Sequence, residues 1–332
     1  MTGLLTFLLR RAGSAVLVLF ALSAVLYAVF YIAPGDPAQL ACGPKCGAEQ
    51  LAQVRQNLAL GDPVWLQYWH FLQGIVTGHD YSTGTGTEHC GAPCLGLSYQ
   101  SGEQVTGILG EKLPATASLA IGAMVLWLIM GVGSGLVSAV RRGRFTERAL
   151  TGFTLVGTAT PVFITGILLL MLFCSVLQWL PYPSYVPFTE DPEQWAWNLV
   201  LPWFALAFLE SAKYARITRS SLLETLAEDH VRTFRAYGVG ERAIVWRHAL
   251  RGALPPVIAL SAMDFGTMFG GAVLTETLFG IPGIGQKLVT SVRTEDLPVV
   301  LGVTLAMGCF VVLANAVADV LYALADRRVV LT

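Results

Sequence analysis

Six long apolar runs constrain the fold of this 332-residue chain more than any other feature. A helix needs about 20 apolar residues to cross the roughly 30 Å hydrocarbon core of a bilayer. The runs predict membrane-spanning helices at Ala12–Ala33, Thr116–Val140, Leu150–Leu177, Ala196–Leu209, Ala253–Leu274 and Val299–Leu324. Charged residues form only 13% of the chain, about half the share typical of soluble proteins. The sequence therefore predicts an all-α membrane protein with about six transmembrane helices.

The distribution of Lys and Arg predicts the orientation, because cytoplasmic loops of membrane proteins are enriched in these residues. With the N-terminus inside, the inner segments hold Arg10, Arg11, Arg141, Arg142, Arg144, Arg148, the cluster from Lys213 to Arg251, Arg327 and Arg328. The outer segments hold only Lys45, Arg55, Lys112, Lys287 and Arg293. We expect both termini to be cytoplasmic. The first run is longer than the apolar core of a signal peptide, so we interpret it as an uncleaved anchor.

This orientation divides the chain into three parts. Residues 1–33 form the first transmembrane helix, and residues 34–111 form a large extracytoplasmic loop. Residues 112–332 form a core of five transmembrane helices with a basic cytoplasmic loop at about 217–252. The net charge of −1 gives no reason to expect a nucleic-acid partner.

The outer loop contains an amphipathic stretch and two cysteine pairs. "GDPVWLQYWHFLQGIV" has helical spacing of apolar residues, whereas "TGHDYSTGTGTEHCGAPCLG" is rich in turn formers and predicts a loop. Cys42, Cys46, Cys90 and Cys94 face a disulfide-permissive compartment, so we expect two disulfides with any of three connectivities. A four-thiolate metal site assisted by His89 is the alternative.

Glycines and one proline shape the predicted spans. Gly131, Gly133 and Gly135 lie within an apolar helix, which favours close helix packing over phosphate binding. Pro161 lies inside the third run and predicts a kink.

The sequence lacks the motifs of an enzyme. It contains no G-x-x-x-x-G-K-S/T, no H-E-x-x-H and no G-x-S-x-G. Asp264 is the acid that we place deep in a span, where a charge must face a cavity or a partner. It either lines a translocation path or forms hydrogen bonds with a neighbouring helix, and the sequence leaves both interpretations open.

The basic stretch "HVRTFRAYGVGERAIVWRHALRG" predicts a rigid knob between the fourth and fifth spans. A first short helix would end at Gly238, the residue type that suits a helix C-terminus, and a second short helix would follow. Such a knob suits docking into a groove of a partner protein. The alternative is a basic segment that binds anionic membrane lipid.

The same stretch, extended to "EDHVRTFRAYGVGERAIVWRHALRGALPPV", resembles the coupling loop of permease subunits in bacterial ATP-binding-cassette (ABC) importers. The similarity is to the dipeptide, oligopeptide and nickel permeases, although Phe234 stands where a small residue is usual. "YIAPGDP" is similar to the first of the two permease types, and "KLPATASLA", "TATPVF", "GGAVLTETLFGIPGIGQKLVTSVRTEDLPVV" and "NAVADVLYALADRR" fit the same family. The cysteine pairs are additions to the family pattern.

The resemblance implies site residues. Those coupling the chain to an ATPase are Asp229, Arg232, Thr233, Arg235, Ala236, Gly238, Glu241, Arg247 and His248. Those near an outer gate are Glu276, Phe279, Pro282, Gly283, Gly285 and Asp296.

The resemblance also implies a function and partners. The chain would be a non-catalytic, pore-forming subunit in the bacterial inner membrane that imports di- or oligopeptides. Its partners would be a second permease, two ATPase subunits, an external solute-binding protein and membrane lipid. The chain itself would hold no cofactor, with ATP and Mg on the ATPase subunits. Nickel, glutathione or another small solute is the alternative cargo, and an ion-coupled secondary transporter is the rival of a different class.

Overall fold

The computed structural model describes residues 2–32, 61–83, 86–141 and 143–325, with short pieces at 38–39, 47–48, 51–52 and 55. Cys42 and Cys46 lie outside the described residues.

The first half of the chain contains five helices and one hairpin. The helices are α1 (Thr2–Ile32), α2 (Val64–Thr77), α3 (Val105–Val140), α4 (Phe145–Ala159) and α5 (Val162–Leu169). Strands β1 (His79–Thr83) and β2 (Gly86–Cys90) pair antiparallel, with His79 opposite Cys90. A π-helical segment, Leu170–Val176, extends α5.

The second half is helical throughout its described residues. Its helices are α6 (Pro192–Ala227), α7 (Asp229–Ala236), α8 (Glu241–Ala243), α9 (Leu250–Gly271), α10 (Val273–Phe279), α11 (Ile284–Arg293) and α12 (Leu297–Ala325). A π-helical segment, Ile244–Ala249, joins α8 to α9.

Among the described residues, four helical stretches are long and apolar enough to cross a membrane: Arg11–Val29, Val105–Val140, Glu241–Gly270 and Leu297–Val320. They agree with the first, second, fifth and sixth predicted spans. The fourth, Ala196–Leu209, lies within α6, where Asn198 and Glu210 reduce the apolar character. That span and the membrane orientation stay predictions.

The third predicted span is a broken element. Helices α4 and α5 meet at a bend of 104°, so the pair counts as a fifth span only if taken together. The break falls at Thr160 and Pro161, as the sequence predicts, because proline lacks the N–H that a continuous helix requires. The prediction of one element over Leu150–Leu177 is therefore too simple.

The outer segment contains the predicted amphipathic helix and an unpredicted hairpin. Helix α2 packs on α1, where the Ser23 and Tyr68 hydroxyls lie 2.7 Å apart. The stretch predicted to be a loop forms β1 and β2 instead. Its turn-forming glycines conceal short runs rich in Tyr, Ser and Thr, and Tyr and Thr favour strands. The fold is thus all-α apart from one hairpin in the described part of the chain.

Helix contacts define two compact units along the chain. One comprises Met1–Phe7, Ala115–Ile281 and Val311–Thr332, and the other comprises Leu8–Pro114 and Pro282–Phe310. In the first unit, α6 packs against α3, α4, α5 and α9. In the second, a methyl group on Gly308 of α12 would lie 2.6 Å from Leu22 of α1, so a glycine permits this contact.

Two of the three α3 glycines serve close packing, as predicted. A methyl group on Gly131 would lie 2.5 Å from the Cβ atom of Tyr214 in α6, and one on Gly135 would lie 2.6 Å from the Ala215 carbonyl oxygen. A methyl group on Gly133 would meet no atom within 4 Å. The α3–α6 contact therefore uses a small-xxx-small pattern, which lets helix backbones approach closely.

Candidate functional site

The predicted knob is present, and we define it as residues 229–249. Helix α7 ends at Tyr237 and Gly238, and Gly238 has a left-handed backbone with φ of +74°. The Gly238 and Val239 N–H groups donate to the carbonyls of Arg235 and Phe234. A glycine is required because other residues pay a steric cost in this conformation. The turn then delivers the chain into α8.

Two side-chain contacts hold the halves of the knob together. The Arg235 guanidinium donates to both Glu241 carboxylate oxygens, at 2.7 and 3.3 Å. This hydrogen bonding holds the pKa of Arg235 above its usual value. The Phe234 ring stacks on His248 with centroids 4.2 Å apart. Phe234, unusual for the family, therefore has a packing partner within the knob.

The base of the knob is buried against the helix bundle. Val231 and Ile244 are fully buried, and Val245 and Ala249 join an apolar cluster with Leu222 of α6. Burial of such side chains contributes about 1.5–3 kcal/mol each for the larger ones. The knob is therefore anchored to the bundle by its apolar side.

The outer side of the knob carries the residues predicted to couple to an ATPase. His248 is half-buried, and the others are exposed or partly exposed: Asp229, Arg232, Thr233, Arg235, Ala236, Gly238, Glu241 and Arg247. Most of this set is thus available to a partner surface, whereas Val231, Ile244, Val245 and Ala249 of the same stretch are buried.

The second half of the knob differs from the prediction in length. We expected a short, separate helix, but α8, the π-helical segment and α9 form one helical stretch, Glu241–Gly270. The glycine at 252 does not end it, because Gly252 packs against Thr225 of α6 and stays helical. The knob is therefore continuous with a predicted transmembrane span.

Asp264 of α9 lies in a polar cluster with two residues of α6. Lys213 Nζ and the Tyr214 hydroxyl donate to Asp264 Oδ2, at 2.6 and 2.7 Å. Glu210 lies 3.9 Å from Lys213. The side chain of Asp264 is 19% exposed and that of Lys213 is 42% exposed, so the cation is the more accessible member. The hydrogen-bonded interpretation is thus correct, and the translocation-path role stays a prediction.

The two acids of the predicted outer-gate set are both buried, each in its own unit. Glu276 of α10 is fully buried and accepts a 2.6 Å hydrogen bond from the Thr116 hydroxyl of α3. Asp296 accepts bonds from the Ser98 hydroxyl at 2.5 Å and the Tyr99 N–H at 2.9 Å. Both acids therefore tie together segments that are distant in sequence.

The remaining residues of the predicted outer-gate set pack within the protein or form backbone hydrogen bonds. Phe279 is buried and lies against Gly166 of α5. Gly283 precedes α11, and its carbonyl accepts from Lys287 N–H. Gly285 is buried and Pro282 is half-buried. These contacts do not test a gating role, which stays a prediction.

One predicted disulfide is present: Cys90 and Cys94 are bonded, with Cα atoms 5.5 Å apart. His89 contacts Asp80 on the neighbouring strand at 2.5 Å. Within the described residues, no cluster of His, Cys, Asp and Glu is arranged to hold a metal ion.

Sequence reasoning missed the partners of these acids. Lys213, Thr116 and Ser98 were not assigned a role, although Lys213 was recognisable as a cation at the end of an apolar stretch. Thr116 and Ser98 carry no comparable signal, because isolated hydroxyls are common in helices and loops.

Comparison with known proteins gives two family matches that together cover most of the chain. Residues 131–331 match the family described as binding-protein-dependent transport system inner membrane component. Residues 4–120 match the N-terminal region of binding-protein-dependent transport system membrane components.

Two curated relatives match almost end to end. A probable peptide ABC transporter permease protein of Sinorhizobium fredii is 33% identical, over 97% of this chain and 98% of the relative. The glutathione transport system permease protein GsiC of Escherichia coli O6:H1 is 34% identical, over 96% of this chain and 97% of the relative.

A solved structure shares the fold. The inward-facing MetNI methionine ABC transporter contains a chain that aligns with a TM-score of 0.52 at 17% identity. The alignment covers 67% of this chain and 98% of that chain. The similarity concerns the helical arrangement alone.

Proposed function

The chain belongs to the binding-protein-dependent transport system inner membrane components, as an ABC importer permease of the peptide/nickel family, and we propose that it forms the translocation pore of a peptide importer. It is a multi-pass protein of the bacterial inner membrane. Family membership implies association with ATPase subunits and a solute-binding protein.

The observation that carries the proposal is the knob. It is bridged by Arg235 and Glu241, anchored by buried Val231 and Ile244, and continuous with a predicted span. A permease without a nucleotide site must receive ATP-driven motion through rigid contact, and the partner must bind the knob differently in two states. We propose that the exposed residues of the knob dock into a groove of an ATPase subunit.

The proposed assembly has two permease chains and two ATPase subunits. ATP and Mg would be bound by the ATPases, and this chain would be non-catalytic. A solute-binding protein would deliver cargo to the outer face, where Glu276 and Asp296 hold the predicted gate segments in place. Lys213 and Asp264 would line the path within the membrane.

Di- or oligopeptides are the proposed cargo. One curated relative carries a peptide-permease name and another a glutathione-permease name, at 33% and 34% identity. Glutathione is itself a tripeptide, so both names agree with a peptide-like solute. Nickel or another small solute is the alternative cargo.

The first experiment is purification of the tagged chain from its native membranes in mild detergent, with its partners identified by mass spectrometry. We expect a second permease and ATPase subunits. Recovery of the chain alone, still able to move solute, would favour an ion-coupled secondary transporter instead.

A matched pair of variants then tests the coupling role in proteoliposomes. Gly238→Arg places a bulky cation on the knob at a left-handed position. Gly143→Arg makes the same change at another left-handed glycine, with φ of +79°, in the α3–α4 connection. A methyl group added to either glycine would meet no atom within 4 Å, so the two changes differ in location rather than in packing.

We expect Gly238→Arg to abolish ATP-dependent peptide uptake while the chain still inserts, and Gly143→Arg to retain most uptake. Equal uptake by both variants would contradict the proposal that the knob docks into an ATPase subunit.

A further inference from the structure

Helices α3 and α9 both pack on α6 and leave an open groove between them, with a volume of about 430 Å³. Leu128, Ile129 and Val132 line it from α3, and Leu250, Leu254 and Ile258 line it from α9. Every lining residue except Ser261 is apolar. The groove is therefore suited to an apolar occupant.

The dimensions of the groove match one leaflet of a bilayer. From Leu250 to Ser261, α9 rises by about 16 Å at 1.5 Å per residue. Half of the hydrocarbon core is about 15 Å. A single acyl chain therefore has the length to fill the groove.

One end of the groove changes abruptly from apolar to polar. Arg251 precedes Leu254 and Ile258 by three and seven positions, which places it on the same side of α9. Arg251 is exposed and has no ion pair within the part of the chain that the structure describes. Trp246 also lines this end and is 64% exposed. Tryptophan and arginine together are typical of the membrane–water interface.

We propose that this groove binds an anionic phospholipid, with one acyl chain between α3 and α9 and the phosphate on Arg251. The cation at the mouth complements a negative headgroup. A second transmembrane helix fits less well, because close helix contacts in membranes are enriched in small residues and only Gly133 in the lining lacks a side chain.

The proposal divides the basic stretch into two surfaces. Around the knob, Arg235 is paired with Glu241 and Arg232 with Asp229, which leaves a polar surface suited to a protein. Arg251 lies beyond the knob, directly after Leu250 of the groove lining. The lipid site contains none of the residues predicted to couple to an ATPase, although Trp246 of the knob lines one end of the groove.

The test measures lipid binding to the purified importer complex by native mass spectrometry, with phosphatidylglycerol and phosphatidylcholine as probes. We expect phosphatidylglycerol to bind about fivefold more tightly, since one cation near the surface adds about that factor. Arg251→Gln should remove this preference. Arg242→Gln, which deletes the same charge on the knob, should retain it.

Two filling variants test the acyl-chain site. Leu254→Trp and Gly133→Leu should each lower the binding of both lipids at least tenfold. Gly133→Leu is the second variant because a methyl group at Gly133 meets no atom within 4 Å, so its side chain enters open space. Thermal unfolding and size exclusion confirm that each variant is folded.

Three outcomes would overturn the proposal. Equal binding of the two lipids by the unsubstituted complex would exclude a headgroup site at Arg251. Unchanged lipid binding in a folded filling variant would exclude the groove. Loss of the second permease from the complex in those variants, with lipid binding unchanged, would identify the groove as a protein interface.

Discussion

At the scale of single residues, three acids of this protein, Asp264, Glu276 and Asp296, are held by partners distant in the sequence. Asp264 accepts hydrogen bonds from Lys213 and Tyr214, so its charge is already balanced before any solute arrives. The side chain of Lys213 is more exposed than that of Asp264. If the cluster lines the translocation path, a solute carboxylate would meet Lys213 before it meets Asp264.

Asp264→Asn tests this cluster. We expect a loss of about 1–3 kcal/mol in stability, less than the 3–5 kcal/mol of a fully buried pair, because Lys213 reaches water. Thermal unfolding of the purified complex measures this loss, and proteoliposome uptake measures transport. We expect uptake to fall more than complex assembly does.

The control for Asp264→Asn is the double variant Lys213→Met with Asp264→Leu, which removes both members of the close ion pair; Glu210 then loses the cation that lies 3.9 Å away. Recovered stability with continued loss of uptake would support a path role. Unchanged uptake kinetics in Asp264→Asn would exclude a role of Asp264 in the translocation path and leave only its hydrogen bonds to α6.

At the scale of helices, glycine spacing decides how closely α3 approaches α6. Gly131 and Gly135 face the α6 backbone and the Tyr214 side chain, whereas Gly133 faces open space. Three glycines that are equivalent in sequence thus have two different surroundings. The reason is the helical period, since residues four apart share a face and the residue between them does not.

Alanine substitutions along α3 test this difference. Gly131→Ala should destabilise the protein by about 1–3 kcal/mol, because the added methyl group forces the helices apart. Gly133→Ala, the matched control, should be neutral or stabilising by about 0.5–1 kcal/mol, because alanine is the better helix former. Thermal unfolding in detergent measures both. Equal stabilities would contradict the close contact.

At the scale of the whole molecule, the positive-inside pattern predicts which segments face the cytoplasm. Helix α2 carries Trp65, which is 70% exposed, and the knob carries Tyr237, which is 82% exposed. The predicted orientation places Trp65 outside and Tyr237 in the cytoplasm. That placement underlies both the proposed ATPase contact and the proposed delivery of cargo.

Single cysteines at these two positions test the orientation. A membrane-impermeant maleimide should label Trp65→Cys in intact spheroplasts and Tyr237→Cys only in inside-out vesicles. The unsubstituted chain serves as the blank. The reverse labelling pattern would overturn the predicted orientation.

The disulfide provides a separate test of the outer compartment. Alkylation under denaturing conditions without reductant should leave Cys90 and Cys94 unmodified, because they are bonded to each other. When the protein is reduced first, alkylation should add two alkyl groups at these positions, measured as an increase in mass. Modification of both without reductant would show that the disulfide does not form in the membrane.

The sequence by itself determined the class of the protein and its local elements. Apolar runs of sufficient length indicate spans, Pro161 marks the break between α4 and α5, and Gly238 marks the end of α7. These features depend on residues close together in the chain, so they can be predicted without knowledge of the fold. The hairpin was missed because its turn formers outweigh short runs of strand formers.

Only the tertiary structure decided which polar groups meet. Lys213 and Asp264 are 51 positions apart, Thr116 and Glu276 are 160 apart, and Ser98 and Asp296 are 198 apart. The groove between α3 and α9 likewise depends on how both helices pack on α6. Each of these contacts is set by helix packing, and no local pattern of residues encodes it.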